Sequence, residues 1–296
     1  MNKKDKQLFE QLISEMKYTS KESLLSYYEE WRDSMPDMKT NQNPRYTWFR
    51  DVGLLLLPLL QHNMIHTVMD IGLVEAYKKG DMKSLHEALY TYNRLSFPFF
   101  RGTSSSKDDG GEYVICRNMI EAFAACDIEA IRKYCPDNSP ILTKGYKMWF
   151  VGYNLILGML YKDGKRIDKG VSQAEKALTT KLPKFDAAVI AYLLALANQN
   201  AEQANEQFSV MMSLYKKSGL FEFHDPFLKV FALLPHGLYN MAYYFLSAGD
   251  FEKIVPPKDT VFWNELAEYQ KKTDFSHGEP YIIFTDNFNS LNVIYE

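Results

Sequence analysis

The chain has 296 residues, 46% hydrophobic and 24% charged, a composition that suits a folded globular protein and excludes a disordered or fibrous one. Its net charge is −3, and no block of Lys and Arg stands free, since Lys3, Lys4 and Lys6 are diluted by Asp5 and Glu10; nucleic acid is excluded as an expected partner. The most apolar run, 52–60, contains Gly53 and Pro58 and is far shorter than the roughly 20 residues a membrane span requires.

Apolar residues recur at three- and four-residue spacing along most of the chain, the period of an amphipathic helix. Leu8, Leu12, Ile13 and Met16 make the first stripe, and Leu24, Leu25, Tyr28 and Trp31 the second, with Ser20 as its N-cap and Glu22 in its first turn. The pattern predicts further helices over 45–78 (interrupted near Pro58), 82–94, 113–125, 128–134, 142–161, 169–179, 185–197 and 201–217. Residues 225–248 read as two helices broken around Pro235 and Gly237, and 260–271 closes the set. Residues 96–111, with GTSSSKDDGG at their heart, read as a polar, flexible loop. Strand signals are confined to 281–284 and 291–295, which predict a small hairpin around Asp286 and Asn287 or an extended tail packed on the helices.

The expected fold is therefore all-α, an irregular array of α-α hairpins with at least ten helices and at most a small β element at the C-terminus. One helical domain over 1–296 is expected, because apolar helices on both sides of the polar loop need partners. That loop divides it into an N-terminal bundle, 1–95, and a repeat-like layer, 112–296. A rhythm supports the repeat-like description. Residues 76–81 (AYKKGD), 122–127 (AFAACD) and 246–250 (LSAGD) each end one helix and start another. A Gly or small residue permits a left-handed helix end, and the Asp then caps the next helix. Tetratricopeptide-like repeats are built from such hairpins, although no strict 34-residue period is present and ordinary helix connections explain the pattern equally.

The side chains that carry chemistry form no familiar set. Cys116, Cys126 and Cys135 are odd in number and never spaced CxxC, so reduced, packed thiols are expected. With the start MNKKDKQLFEQL turning at once amphipathic, a cytoplasmic protein without a secretory signal is expected. His62 and His66 stand at i and i+4, the spacing of two metal ligands on one helix face, but Asn63 occupies the place of the metalloprotease Glu, and no zinc is expected. His224 and Asp225 suggest a base and its orienter, yet Asp225 before Pro226 reads more simply as a helix cap. Gly152 and Gly158 lie inside a helical pattern without a phosphate-loop motif and are assigned to close helix packing. No catalytic residue, cofactor or metal is expected.

Charge is uneven. From residue 219 onward, 5 basic residues face 11 acidic ones, leaving −6 there and +3 in the rest. This acidic quarter reads either as a solvated face or as a surface for a basic protein partner. Within it Glu279, Tyr281, Phe284, Asp286 and Phe288 have the composition of a partner site, aromatic anchors beside charge. The competing interpretation is that these aromatics seal the end of the helical layer.

Three stretches resemble a known group. They are NMIEAFAACDIEAIRKYCPDNSP from Asn118, AVIAYLLALANQNAEQANEQFSVMMSLYKKSG from Ala188, and DPFLKVFALLPHGLYNMAYYFLSAGDFEKIVPPKD from Asp225. Together they resemble the all-helical immunity proteins of bacterial polymorphic toxin systems, most closely the forty-ninth immunity family. The resemblance covers about half the chain and lies in apolar spacing; the longer N-terminal region departs from it. It implies a cytoplasmic, non-catalytic protein that binds and neutralises a cognate toxin delivered by neighbouring cells, without naming the toxin's activity. The alternative function is a tetratricopeptide-like scaffold or regulatory protein-binding module with no toxin partner.

Overall fold

A computed structural model of the protein describes residues 1–33, 64–103, 111–218, 225–258, 260–284 and 286–296. Residues 45–63 of the expected 45–78 helical stretch, with the 52–60 run and His62, lie outside them, as do 104–110 of the polar loop and Phe221, Phe223 and His224. Among the described residues there are thirteen α-helices, three 3-10 segments and no strand, so the all-α expectation holds.

In chain order the helices are α1 (Lys3–Glu15), α2 (Lys21–Asp33), α3 (Met64–Lys79), α4 (Met82–Thr103), α5 (Gly111–Ala124), α6 (Ile128–Tyr134) and α7 (Lys147–Tyr161). They continue with α8 (Gly164–Leu178), α9 (Lys184–Ala197), α10 (Ala201–Leu214), α11 (Leu233–Phe245), α12 (Ala248–Phe251) and α13 (Asn264–Lys272). The 3-10 segments are Tyr215–Lys217, Pro226–Lys229 and Asp286–Tyr295.

One turn recurs four times. Gly80 (φ 69°), Cys126 (φ 57°), Lys162 (φ 54°) and Gln199 (φ 54°) end their helices left-handed. The next residue in each case, Asp81, Asp127, Asp163 or Asn200, accepts a backbone N–H three residues on, from Ser84, Ala130, Arg166 and Gln203 respectively. The left-handed residue closes the orphan carbonyls of one helix, and the Asx side chain caps the orphan amides of the next. Two of these turns, at Gly80 and Cys126, carry the sequence rhythm. The third expected one differs: Ser247, not Asp250, caps α12, and Gly249 and Asp250 lie within it. Lys162 and Gln199 were hidden because neither is a residue that favours a left-handed end.

The hairpins pack side by side. α5, α7 and α9 are neighbours in one layer; α8 and α10 fold back on α7 and α9, α3 pairs with α4, and α11 lies against α5. Close approach depends on small residues. A Cβ at Gly237 would stand 1.9 Å from the Ile120 carbonyl oxygen, so α11 and α5 meet backbone to backbone there. A Cβ at Gly152 would stand 2.9 Å from Cys116 Sγ, and one at Gly158 2.9 Å from Ile167 Cγ1, the close packing assigned to them. One continuous apolar cluster runs from Phe9 to Ile294. The high aromatic content is spent there: Phe208, Tyr239, Phe262, His236, Phe231, Trp263 and Phe9 form an unbroken row of ring contacts at 3.9–6.0 Å.

Three expected boundaries are corrected. α4 does not end at Arg94 but continues through Pro98 to Thr103, because Leu95, Ser96 and Phe97 are buried and packing outweighs the lost amide. Residues 225–248 are not broken at Pro235 and Gly237. Pro235 sits in the first turn of α11, where its missing N–H has no partner to lose, and Gly237 is needed for contact with α5. Finally, 291–295 is a 3-10 helix rather than a strand. The two β-rich pieces do meet, through the Asn292 amide, which accepts from Phe284 N (2.9 Å) and donates to Phe284 O (3.2 Å), and through Tyr295 O–H, which donates to Ile282 O (2.6 Å). The tail is thus tied down by side chains. Arg94 adds a further tie: it is buried, donates twice to the fully buried Asp127 (2.6 and 2.9 Å), and reaches Ile294 O at 3.3 Å.

Candidate functional site

A helix that buries most of its surface has little place for ionisable groups, because each must be desolvated. α3 nonetheless carries His66 and Asp70 one turn apart, in an otherwise apolar stretch, and its neighbours carry more. Tyr92 on α4, Arg117 and Glu121 on α5, and Asp225 ahead of the Pro226–Lys229 turn are all buried, at 2–8% exposure. Arg117 Nε donates to Glu121 Oε1 at 2.7 Å, and Tyr92 O–H donates to Glu121 Oε2 at 3.1 Å. The Tyr92 ring lies against the His66 imidazole, centroids 5.4 Å apart. His66 Nδ1 in turn approaches Asp225 Oδ2 at 3.5 Å.

Asp225 fills two roles. Its Oδ1 accepts from Phe227 N at 2.8 Å, the capping role read from the sequence. Its Oδ2 faces the cluster and has no N–H or hydroxyl donor within hydrogen-bond distance, and Asp70 Oδ1 and His66 Nδ1 likewise lack such a partner. Burial, and after it the Asp225 charge and a direct hydrogen bond to Asp225, holds the Asp70 carboxyl well above the usual carboxylate range. A hydrogen bond between two carboxyls needs a proton between them, which is why the pair favours the protonated form of Asp70. Burial, followed by the Glu121 charge, likewise pushes the Tyr92 phenol well up, leaving it a fixed donor.

Beside Asp70 lies a cleft of about 330 Å³. The end of α1 and the segment after it supply Leu12, Glu15, Met16, Lys17 and Tyr18; α3 supplies Thr67 and Asp70, and the turn supplies Pro226 and Phe227. α1 is fixed against this region by Phe9, whose ring meets Phe227 edge-on at 5.5 Å, and by an ion pair between Asp5 and Lys216. The cleft therefore has apolar walls, both signs of charge at its rim, and the Asp70 carboxyl among its lining groups.

The structure joins what the sequence kept apart. The described partner of His66 is Asp225, 159 positions further along the chain, while His62 and His224 lie outside the described residues. Among the described residues no group of three or more His, Cys, Asp or Glu is arranged to hold a metal ion. The three cysteines are buried thiols. Asp70 was not singled out, although a lone acid in MIHTVMDIGLV, four residues after a histidine, was the signal that marks it.

The expected partner residues are placed differently. Tyr281 is buried, its O–H donating to Glu75 Oε2 at 2.6 Å and its N–H to Thr91 Oγ1 at 2.8 Å. Phe284 is also buried, stacked on Tyr28 with centroids 6.1 Å apart. Both rings seal the helical layer and present no anchor in this structure. Glu279 is exposed, and Asp286 and Phe288 lie in the C-terminal 3-10 helix. No described helix is long and apolar enough to cross a membrane. Set against models of known protein families, curated proteins and solved structures, the chain matches none.

Proposed function

We propose that this chain is a cytoplasmic protein-binding helical array that neutralises a cognate bacterial toxin by occupying it, without catalysis, cofactor or metal. The observation that supports this function is the set of doubly capped hairpins from α3 to α10. A platform whose turns are closed at both helix ends pays little ordering entropy on association, so contact energy is available for affinity. The resemblance of 118–140, 188–219 and 225–259 to the polymorphic-toxin immunity proteins supplies the kind of partner. A scaffold or regulator of the tetratricopeptide-like kind uses the same hairpins and differs in its partner alone. The test is direct association of the purified chain with the toxin domain encoded beside it. A stoichiometric complex with Kd in the nanomolar range supports the toxin function, a range typical of specific complexes of ordinary interface size. No complex at micromolar concentrations contradicts it and leaves the scaffold.

A further inference from the structure

Charge on the helical array is uneven in a way the proposed function does not yet use. Residues 141–184 hold nine Lys and Arg against three Asp and Glu, +6 within a chain whose net charge is −3. The sequence spreads these charges, and the fold gathers five of them at one end of the layer. α7 starts there, α8 ends there and α9 starts there, so Lys144 and Lys147 come beside Lys176, Lys181 and Lys184. Two bonds make the join. Lys147 Nζ donates to Thr180 Oγ1 at 2.8 Å, and Tyr146 O–H donates to Asp186 Oδ2 at 2.5 Å. Elsewhere surface lysines find acids, as in Lys79–Glu75, Lys253–Glu202 and Lys271–Glu268. Among the described residues none of these five is ion-paired. Of the acids at this end, Asp186 is buried against Tyr146, which leaves exposed Glu175 as the local counter-charge.

The same end carries an apolar centre. Tyr146 is 47% exposed, the one exposed aromatic side chain among the described residues, and Leu178 is 36% exposed. The hydroxyl bond to Asp186 holds the Tyr146 ring in place, so little side-chain entropy is left to lose when a partner covers it.

We propose that this end of the array docks an acidic patch on the surface of a protein partner, with Tyr146 and Leu178 under the patch's apolar centre and the lysines against its carboxylates. The inference deepens the proposed function by giving the partner's surface chemistry, and rests on it only in taking the partner to be a protein. An aromatic anchor inside a charged rim is the anatomy of a protein interface. A nucleic acid or an anionic bilayer is extended and meets the rest of the chain as well. That remainder carries −9, since the whole is −3 and this segment +6, and it repels a long polyanion. A folded partner presents a bounded patch and touches the basic end alone, with the acidic remainder screened beyond a Debye length.

The experiment uses the full chain and two probes. The first is a dye-labelled peptide of sequence Glu-Glu-Leu-Glu-Glu-Phe-Glu-Glu, with a copy in which Gln replaces every Glu, followed by fluorescence anisotropy. The second is the neighbouring toxin domain. The acidic peptide is expected to bind roughly ten-fold or more tighter than its Gln copy and to weaken as salt is raised. Each exposed pair contributes a few-fold, and reversal adds repulsion to the lost attraction, so Lys181→Glu with Lys184→Glu should weaken both probes roughly ten-fold. Its melting temperature should not change, because Lys181 is exposed and Lys184 opens α9, where an acid suits the helix end. Lys165→Glu with Lys169→Glu makes the same charge change on exposed positions toward the other end of α8, and should alter neither probe by more than about two-fold. Equal affinity for the two peptides, or equal losses in the two double variants, would overturn the proposal. Tighter binding of a single-stranded DNA octamer or of anionic phospholipid vesicles than of the acidic peptide would also overturn it. A chain that binds the acidic peptide but not the toxin domain contradicts the toxin function and leaves the docking face standing. A toxin domain bound undiminished by the Lys181→Glu, Lys184→Glu variant does the reverse.

Discussion

Acidification should unfold this protein chiefly through two buried imidazoles. His86 donates one ring nitrogen to Ser276 O at 3.0 Å and accepts at the other from Gln270 Nε2 at 3.2 Å, and burial pushes its pKa down to about 4. His236 accepts Trp263 N–H at Nε2 between the Phe231 and Phe262 rings, and burial pushes it down to about 3. In the unfolded chain both titrate near 6.5, so below that pH the unfolded state binds more protons and stability falls. At pH 4.5 each group withdraws roughly 2–3 kcal/mol, together about 5, at the lower edge of the 5–15 kcal/mol that holds an ordinary domain folded. Asp70 acts in the opposite sense. Its raised pKa costs stability at neutral pH, and that cost is relieved as pH falls toward the ordinary carboxylate value. Urea unfolding at pH 7, 5.5 and 4.5 measures the balance. His236→Gln, which keeps an acceptor for Trp263 N, should shrink the loss between pH 7 and 4.5 by roughly 2–3 kcal/mol. Asp70→Asn should be more stable than the native chain at pH 7 and lose more on acidification. A native chain equally stable at pH 7 and 4.5, or a His236→Gln variant with undiminished pH dependence, would refute this reasoning.

Two further substitutions test the packing. Arg94→Met leaves Asp127 buried without its bidentate partner and frees the tail at Ile294, so a loss of about 3–5 kcal/mol in chemical denaturation is expected, largely recovered when Asp127→Asn is added. Gly237→Ala places a methyl 1.9 Å from the Ile120 carbonyl oxygen, and its separation of α11 from α5 should cost roughly 3 kcal/mol or more in the same assay. Gly249→Ala, whose Cβ meets nothing within 4 Å, is the control and should leave stability within about 0.5 kcal/mol.

What the sequence revealed follows from the range of the forces involved. Helix periodicity and Asx caps are local, so α6, α9 and α10 begin and end within a few residues of their expected positions, and Ser20 caps α2 as expected through its exchange with Ser23. Pro235 and Gly237 misled because their local cost is set against burial contributed by distant chain, and the same burial carries α4 past its expected end at Arg94. The alternation of 291–295 misled for the converse reason: a strand needs an edge to pair with, and the described helices offer none. The candidate site was legible only in fragments. His66 and Asp225 are 159 positions apart in the chain, and nothing local links them. Their pairing, like the turning of Tyr281 and Phe284 into the core, is set by tertiary contact.

The central claim is neutralisation by occupancy, and stoichiometry tests it most directly. The purified chain is titrated into a fixed amount of the neighbouring toxin domain while the toxin's own activity is followed. Occupancy predicts that activity falls linearly and reaches its floor at one equivalent, with no dependence on incubation time. Inactivation by a small fraction of an equivalent that deepens with time would show an enzyme acting on the toxin, and activity that persists beyond one equivalent would show that this toxin is not the partner; either result contradicts the account.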